Sequence, residues 1–520
     1  MGNRGILTVP HRLDGPELAT ETGPRVCEYV GVTATTADND ARPAIPDGFV
    51  IVVKQDCPTC VLVAPVLIEL GFGDQAVTVY SQDDANFPVA AEWVINDTDL
   101  AMSWHHEIET VPTVLRVSNG VETDRIVGWS ASQWRTFFDK PTLGEDITDY
   151  APGCGSLSVD PSRTDALLAL YGGTGLASRR VEFAELEDES EALFDRGWTD
   201  GLPIVAPTET RVARMLEGTT RHADDMVAII PPNLIECSVE KVAINAVMAG
   251  CKPEYFPVVL TALEAVCTDE FNMHGVLATT MGVGPIFIIN GPIRDQIGLN
   301  SGINVFGQGN RANMTIGRAV QLVVKNVGGG EPGGIDRATH GSPSKLGFCF
   351  AEDEEGSAWE PLSVERGFDE GVNTVTAYCG EGPHIVIDQT SRTPESLAKL
   401  LAMSLLNANG PRTFLGIDAM LVVSPEHMSR FADAGWSKAR LREELDKYLT
   451  VDGATVARGV DGIEDGVPDI FAEGPVPKFN PDGGLHIVHA GGPAGLWSAI
   501  IGGWVTGQKG SITTTREITP

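Results

Sequence analysis

Apolar and polar positions along this chain follow two periods. "DGFVIVVK" (47–54) is an unbroken Val/Ile run of strand length. "CVLVAPVLIELG" (60–71) is apolar at helical spacing and stops at Gly71, with Pro65 placed to kink it. "VPTVLRVSNGVETDRIVGW" (111–129) alternates on both sides of Ser118-Asn119-Gly120, which predicts a hairpin. "SASQWRTFF" (130–138) predicts a Ser-capped helix. These elements make a small α/β unit over residues 46–140.

The flanks differ. Residues 1–45 are rich in Thr, Asp, Gly and Pro and read as an arm, with one short strand near "RVCEYVGV". Residues 141–164, rich in Gly, Pro, Asp and Ser, read as a linker. From 165 to 520 the pattern is mixed α/β. Strands are expected in "MVAII", "GPIFIIN", "LGFCFAE", "NTVTAY", "HIVID", "AMLVV" and "LHIVHA". Helices are expected in "VEKVAINAVMAG", "PEYFPVVLTALEAVC", "NRANMTIGRAVQLVVKNVGG", "TPESLAKLLAMSLLNA" and "SKARLREELDKYLT". This region exceeds the usual size of one core, so it is expected to be α/β or α+β with room for two lobes. No repeat of fixed period is visible.

Composition narrows the function classes. The 520 residues carry 71 acidic and 37 basic side chains, a net charge of −34. Such a chain repels phosphate backbones, which argues against nucleic-acid binding and reads as solubility. The opening residues hold no apolar run of signal-peptide length, and no stretch approaches the ~18 apolar residues of a membrane span. The expected location is the cytoplasm, with no membrane partner. Nine cysteines, an odd and sparse set, exclude a disulfide scaffold.

Two of them form "CPTC" (57–60) between the first strand and the first helix. At such a junction the first thiol meets free helix N–H groups that favour its thiolate, and the second lies one turn further in, able to resolve a mixed disulfide. Pro58 suits the first turn, where its missing N–H was unpaired anyway. A redox-active Cys57–Cys60 disulfide, half of a zinc site, and simple packing are the three readings. Zinc would need a second CxxC or CxxH, and none exists.

With "CPTC" and Val111-Pro112-Thr113 in view, residues 46–140 resemble a thioredoxin-fold domain. The resemblance implies that Cys57 attacks, Cys60 resolves, and Pro112, after a cis bond, shapes substrate contact. Asp56 stands where the family has Trp, and a carboxylate there disfavours the thiolate. Ile51 stands where the family has a buried acid. An insert before Pro112 carries His105 and His106, either a base or charge partner or a solvated loop histidine.

The large region has several Gly/Asn-rich loops at strand ends, which can turn backbone N–H groups toward an anion or simply turn the chain. None matches a P-loop or a dinucleotide-binding fingerprint, so no cofactor is assigned. Candidate substrate contacts are Asn310, Arg311, Asn313, Asp336, Arg337, Gly491 and Gly492. Candidate catalytic residues are Cys251, which Lys252 would activate in an exposed Gly-Cys-Lys-Pro turn, with His274 and His340. Cys237 and Cys154 are lesser thiol candidates; Cys267, Cys349 and Cys379 read as packing. His274, His340 and His384, with Glu236, Asp336 and Glu352, could hold a metal, but no local ligand signature indicates one.

The segments "GWTDGLP", "AVMAGCKPEYFPVVLTALEA", "NGPIRDQIGLNSG", "GNRANMTIGRA", "DRATHGSP" and "FCFAEDEE" resemble a large uncharacterised bacterial family labelled thiol-disulfide isomerase-like. It is related in context to proteins with a Cys/Sec-Gly-Ser-Cys motif. Here Cys154-Gly155-Ser156 is followed by Leu157, so the motif's last cysteine is missing. The reading that results is a thiol-disulfide oxidoreductase: a thioredoxin-like module serves a fused C-terminal catalytic domain acting on a small, anionic substrate. Its expected partners are that small molecule and thioredoxin reductase or a similar thiol reductant; a homo-oligomer is left open. Two alternatives stand beside it: a C-terminal lyase or hydrolase with a regulatory module, and a non-enzymatic adaptor.

Overall fold

A computed structural model of the chain describes residues 42–160, 188–459 and 469–519, with 29–31 and scattered positions between 163 and 182. The expected arm lies mostly outside the described residues, as does Cys27; its expected strand is Tyr29–Gly31, paired with Arg180–Glu182.

The small α/β unit opens with β1 (Gly48–Val53), which leads into α1 (Pro58–Gly71), β2 (Val77–Ser81), β3 (Val94–Asn96), α2 (Ala101–His105) and β4 (Thr110–Val111). The hairpin β5 (Thr113–Ser118) and β6 (Val121–Val127) follows, then β7 (Trp129–Ser130) and α3 (Ala131–Phe138). The sheet order is β3-β2-β1-β5-β6, with β1 parallel to β2 and antiparallel to β5. Central β1 is covered on both faces, which is why its sequence is apolar without alternation: Val50 to Val53 are all fully buried. Helix α1 runs through Pro65 and buries Val63, Val66, Leu67 and Leu70 against the sheet. Asn119 and Gly120, at φ 55° and 71°, make the hairpin turn that the Asn-Gly pair predicts.

Residues 141–159 are not a linker. Leu143 is buried in the core of this unit, and Trp129 Nε1 donates to the Thr148 carbonyl at 2.5 Å. Strand β8 (Tyr150–Ala151) pairs with β7, and β9 (Cys154–Gly155) pairs with β4. Ser156 and Ser158 are buried. The small and turn-forming residues that look like a flexible spacer serve close approach instead.

The large region is mixed α/β, with parallel and antiparallel pairs in one eight-stranded sheet system. It folds as two half-sheets. One holds β10 (Gly284–Asn290), β11 (Phe348–Ala351), β12 (Thr374–Gly380) and, at its edge, Thr514–Glu517. The other holds His384–Ile387, Ile417–Val423, Leu485–His489 and Trp497–Val505. A bridge between Gly380 and Gly503 joins them. At that joint a Cβ on Gly380 would sit 2.7 Å from the Tyr378 ring, so the approach needs glycine.

Side chains along these strands alternate between two cores. Ile286, Ile288, Phe350, Met420, Val422 and Ile501 form an inner cluster shared by both half-sheets. Phe287, Ile289 and Cys349 face outward onto helices Val239–Ala249, Phe256–Val266 and Arg311–Asn326. Leu421, Val423 and Ile487 face outward onto helices Pro394–Leu405 and Lys438–Leu449. The two expected lobes are therefore the halves of one four-layer helix–sheet–sheet–helix sandwich. Among the described residues no helix is long and apolar enough to cross a membrane.

Candidate active site

Cys57 ends the loop after β1 and caps α1: the Cys60 N–H donates to its Sγ at 3.3 Å. Asp83 fixes this loop by accepting from the N–H groups of Gln55 (2.6 Å) and Asp56 (2.8 Å). From the other side the Val111 carbonyl oxygen lies 3.7 Å from Cys57 Sγ, and the Val111-Pro112 peptide bond is cis. The sequence motif and its distant X-Pro loop thus meet at one point.

A third thiol joins them. Cys154 faces Val111 in the β4–β9 pairing, the same residue whose carbonyl oxygen Cys57 Sγ approaches. Hydrogen bonding from the Cys60 thiol, followed by that of Cys154, draws the Cys57 thiol down to about 5 against the opposing effect of burial. Burial, reinforced by the neighbouring Cys57, pushes Cys60 far up, and the same two causes raise Cys154. The cluster therefore favours ionisation at Cys57 over Cys60 and Cys154. All three cysteines are free, Cys57 is 1% exposed and Cys60 0%, and Cys154 alone is half-buried.

The segment carrying Cys154 is clamped along its length. Thr59, inside the CPTC motif, donates from Oγ1 to the Pro152 carbonyl at 2.5 Å. The Ser156 N–H donates to Glu109 O at 2.9 Å, and Ser158 Oγ donates to Ile108 O at 2.5 Å. Buried Gln82 donates from Nε2 to Ser156 Oγ (2.6 Å) and Ser103 Oγ (2.7 Å), and accepts from the Leu157 N–H (3.0 Å). Ser103 in turn donates to Asp97, whose carboxyl burial raises to about 6.

The residues at which the sequence departs from the thioredoxin pattern fall elsewhere. Asp56 is exposed. The ring of His106 contacts Arg42 (3.2 Å) and the Pro43 carbonyl (3.1 Å), and His105 stacks edge-on against Tyr171. Neither histidine is engaged with the thiols in these contacts.

The C-terminal candidates do not converge. Cys251 is 6% exposed, not displayed on a turn; its Sγ donates to Thr315 O, and burial pushes its thiol up to about 12. Cys237 is buried on a strand ahead of the helix that Ser238 caps. Asn310 caps its helix and bonds Gly298 O (2.7 Å), Asn313 holds the backbone of Asn300, and Arg311 bonds Gly250 O (2.7 Å). Asn310 and Asn313 fasten the Gly/Asn loop, while Arg311, which is exposed, ties the start of its helix to the Gly250-Cys251 turn. Gly491 and Gly492 bring the chain against Ser424 and Ile303, a packing contact where a side chain would clash.

The remaining candidates line two cavities. His274 lies on one of about 730 Å³ with Glu264 and Arg516. Asp336 and His340 share another, of about 540 Å³, with Asp200 and Lys345. Asp336 pairs with Lys345 (2.7 Å), and Arg337 is exposed nearby. Among the described residues no group of three His, Cys, Asp or Glu side chains is placed to hold a metal ion.

Comparison with protein-family models, curated proteins and solved structures finds no match to this chain. The sequence led directly to Cys57, Cys60 and Pro112. It did not reveal that Cys154, Thr59 and Gln82 belong to the same site.

Proposed function

We propose that the chain is a thiol-disulfide oxidoreductase with Cys57 as the attacking thiolate and Cys60 as the resolving thiol. The observation that carries this reading is the placement of the pair: Cys57 caps α1 and accepts from the Cys60 N–H at 3.3 Å beside the cis Val111-Pro112 bond, a setting that lowers the Cys57 thiol while burial raises that of Cys60. A nucleophile and a proton-bearing resolver are what disulfide exchange needs. The order strand, CxxC, helix, two parallel strands, Val111-Pro112 loop, hairpin and helix supports a thioredoxin-like identity for this unit. A reducing compartment such as the cytoplasm and a reductant of the thioredoxin reductase class fit a pair that must be returned to thiols.

The large region is proposed to offer the small-molecule site. The cavity with Asp200, Asp336, His340 and Lys345 supports this, and its size suits a metabolite rather than a protein segment. The test is a thiol titration of the full chain before and after thioredoxin, thioredoxin reductase and NADPH. One reversible disulfide, abolished by Cys57→Ser, is expected. Inert thiols, or a Cys57→Ser chain that behaves like the parent, would overturn the reading.

A further inference from the structure

The attacking thiol of this site is covered by the protein's own chain. Residues 152–158 lie across it, held by the β4–β9 pairing, by Thr59 and by Gln82. Gly153 makes the approach feasible: a Cβ there would clash with Thr110 and lie 3.2 Å from the Val111 carbonyl oxygen. The one sulfur of the three with appreciable exposure is Cys154.

We propose that Cys154 is the entry thiol of the site, the sulfur through which external disulfides exchange with the Cys57–Cys60 pair. This rests on the oxidoreductase reading above and adds a third cysteine to it. With an external disulfide RSSR, the Cys154 thiol gives its proton to the Cys57 thiolate and attacks, forming Cys154–S–S–R and releasing RS⁻, which takes that proton from Cys57. The Cys57 thiolate then attacks the Cys154 sulfur, forming Cys57–S–S–Cys154 and releasing the second RS⁻, protonated from solvent. Cys60 attacks the Cys57 sulfur, its proton passing to the departing Cys154. The Cys57–Cys60 disulfide forms, Cys154 is again a thiol, and two electrons have passed to RSSR. The order of the two thiols opposes this first proton transfer, Cys57 being lowered and Cys154 raised, so it is exposure and not acidity that selects Cys154 for entry.

The experiment uses the reduced full-length chain and glutathione disulfide, with acid quenching, alkylation and mass-spectrometric mapping of disulfides. In a Cys60→Ser chain the Cys57–Cys154 disulfide is expected to accumulate, with no glutathione retained on Cys57. Cys154→Ser and Cys154→Ala chains are expected to form Cys57–Cys60 several-fold more slowly, because the probe must then reach Cys57 itself, which is 1% exposed. Glutathione retained on Cys57 of the Cys60→Ser chain, or Cys154 variants oxidised at the parent rate, would overturn the entry role while leaving the Cys57–Cys60 pair intact. A parent chain that never forms Cys57–Cys60 would instead remove the oxidoreductase reading, and this inference with it. Mapping early time points of the unsubstituted chain separates the same two outcomes without relying on the folding of a variant: glutathione is first captured on Cys154 if the proposal holds, and on Cys57 if it does not.

Discussion

Val111 and Cys154 face each other across a short antiparallel pairing, and the Val111 carbonyl oxygen is also 3.7 Å from Cys57 Sγ. One backbone position therefore touches both Cys57 and the strand that carries Cys154. The properties of Cys57 depend on how firmly that strand is held.

The Cys57 thiolate sets a pH window for stability. Its folded value, about 5, lies below the ordinary 9.0 of a free thiol. A depressed acid contributes stability that is fully present above the unfolded value and is lost as pH falls through the folded value. The stability gap between the reduced parent and a reduced Cys57→Ser chain should therefore shrink as pH is lowered from about 9 to about 5. Urea unfolding at a series of pH values measures it, and a gap independent of pH would contradict the assignment.

Thr59→Val should expose the site. It deletes the hydrogen bond to the Pro152 carbonyl at little cost in volume. A loss of about 1 kcal/mol in holding the segment raises its open fraction roughly fivefold. Iodoacetamide labelling of Cys57 in the reduced chain should accelerate to match, and Thr59→Ser should restore the slow rate. Equal labelling of Thr59→Val and parent would show that this contact does not govern access.

Gln82→Leu should be costly to stability. The amide makes three hydrogen bonds to Ser103, Ser156 and the Leu157 N–H, and it is 1% exposed. Leucine leaves those groups without their partner, at about 2–4 kcal/mol. The denaturant midpoint should fall with the slope unchanged. A midpoint like that of the parent would mean that water replaces the amide without penalty.

Asp418 gives the large region the opposite pH sense. Burial raises its carboxyl from the ordinary 3.8 to about 8. The folded state then binds more protons than the unfolded state between these values, so this group's effect is to lower stability as pH rises from about 4 to about 8. An Asp418→Asn chain lacks the slope. Its stability relative to the parent should increase across that interval and level off above it, as followed by thermal unfolding at fixed ionic strength. A relative stability that is flat with pH would show Asp418 to be ionised throughout.

What the sequence made legible was local. The run Phe49–Val53, the CxxC after it, and the Asn119-Gly120 turn each state their conformation within a few residues. The strands and helices of the large region were equally readable, because burial on both faces or on one stripe leaves a plain apolar signature. Cys154 was named only as a lesser thiol candidate, and its place beside Cys57 was hidden for a different reason. That place comes from pairing with Val111, a contact distant in sequence, and its own neighbours Pro152, Gly153, Gly155 and Ser156 carry the composition of a spacer. Cys251 failed in the opposite direction: a Gly-Cys-Lys-Pro turn looks exposed, yet packing around Thr315 and Arg311 encloses its sulfur. The Gly/Asn loop at 298–313 was legible as special but not as to purpose, since capping and ligand binding draw on the same residue types.

The four-layer sandwich has a consequence for the chain before it folds. Strands covered on both faces, such as Ala419–Val423 and Ser498–Ile501, are runs of β-prone, uncharged residues. Short segments of this kind stack between chains when left bare. Here they must wait for partners distant in sequence: Ile417–Val423 pairs with strands near 485 and 500. During that wait a net charge of −34 keeps one chain from another by mutual repulsion. The acidity of this protein is then a safeguard of its synthesis, guarding buried strands that the finished surface no longer shows.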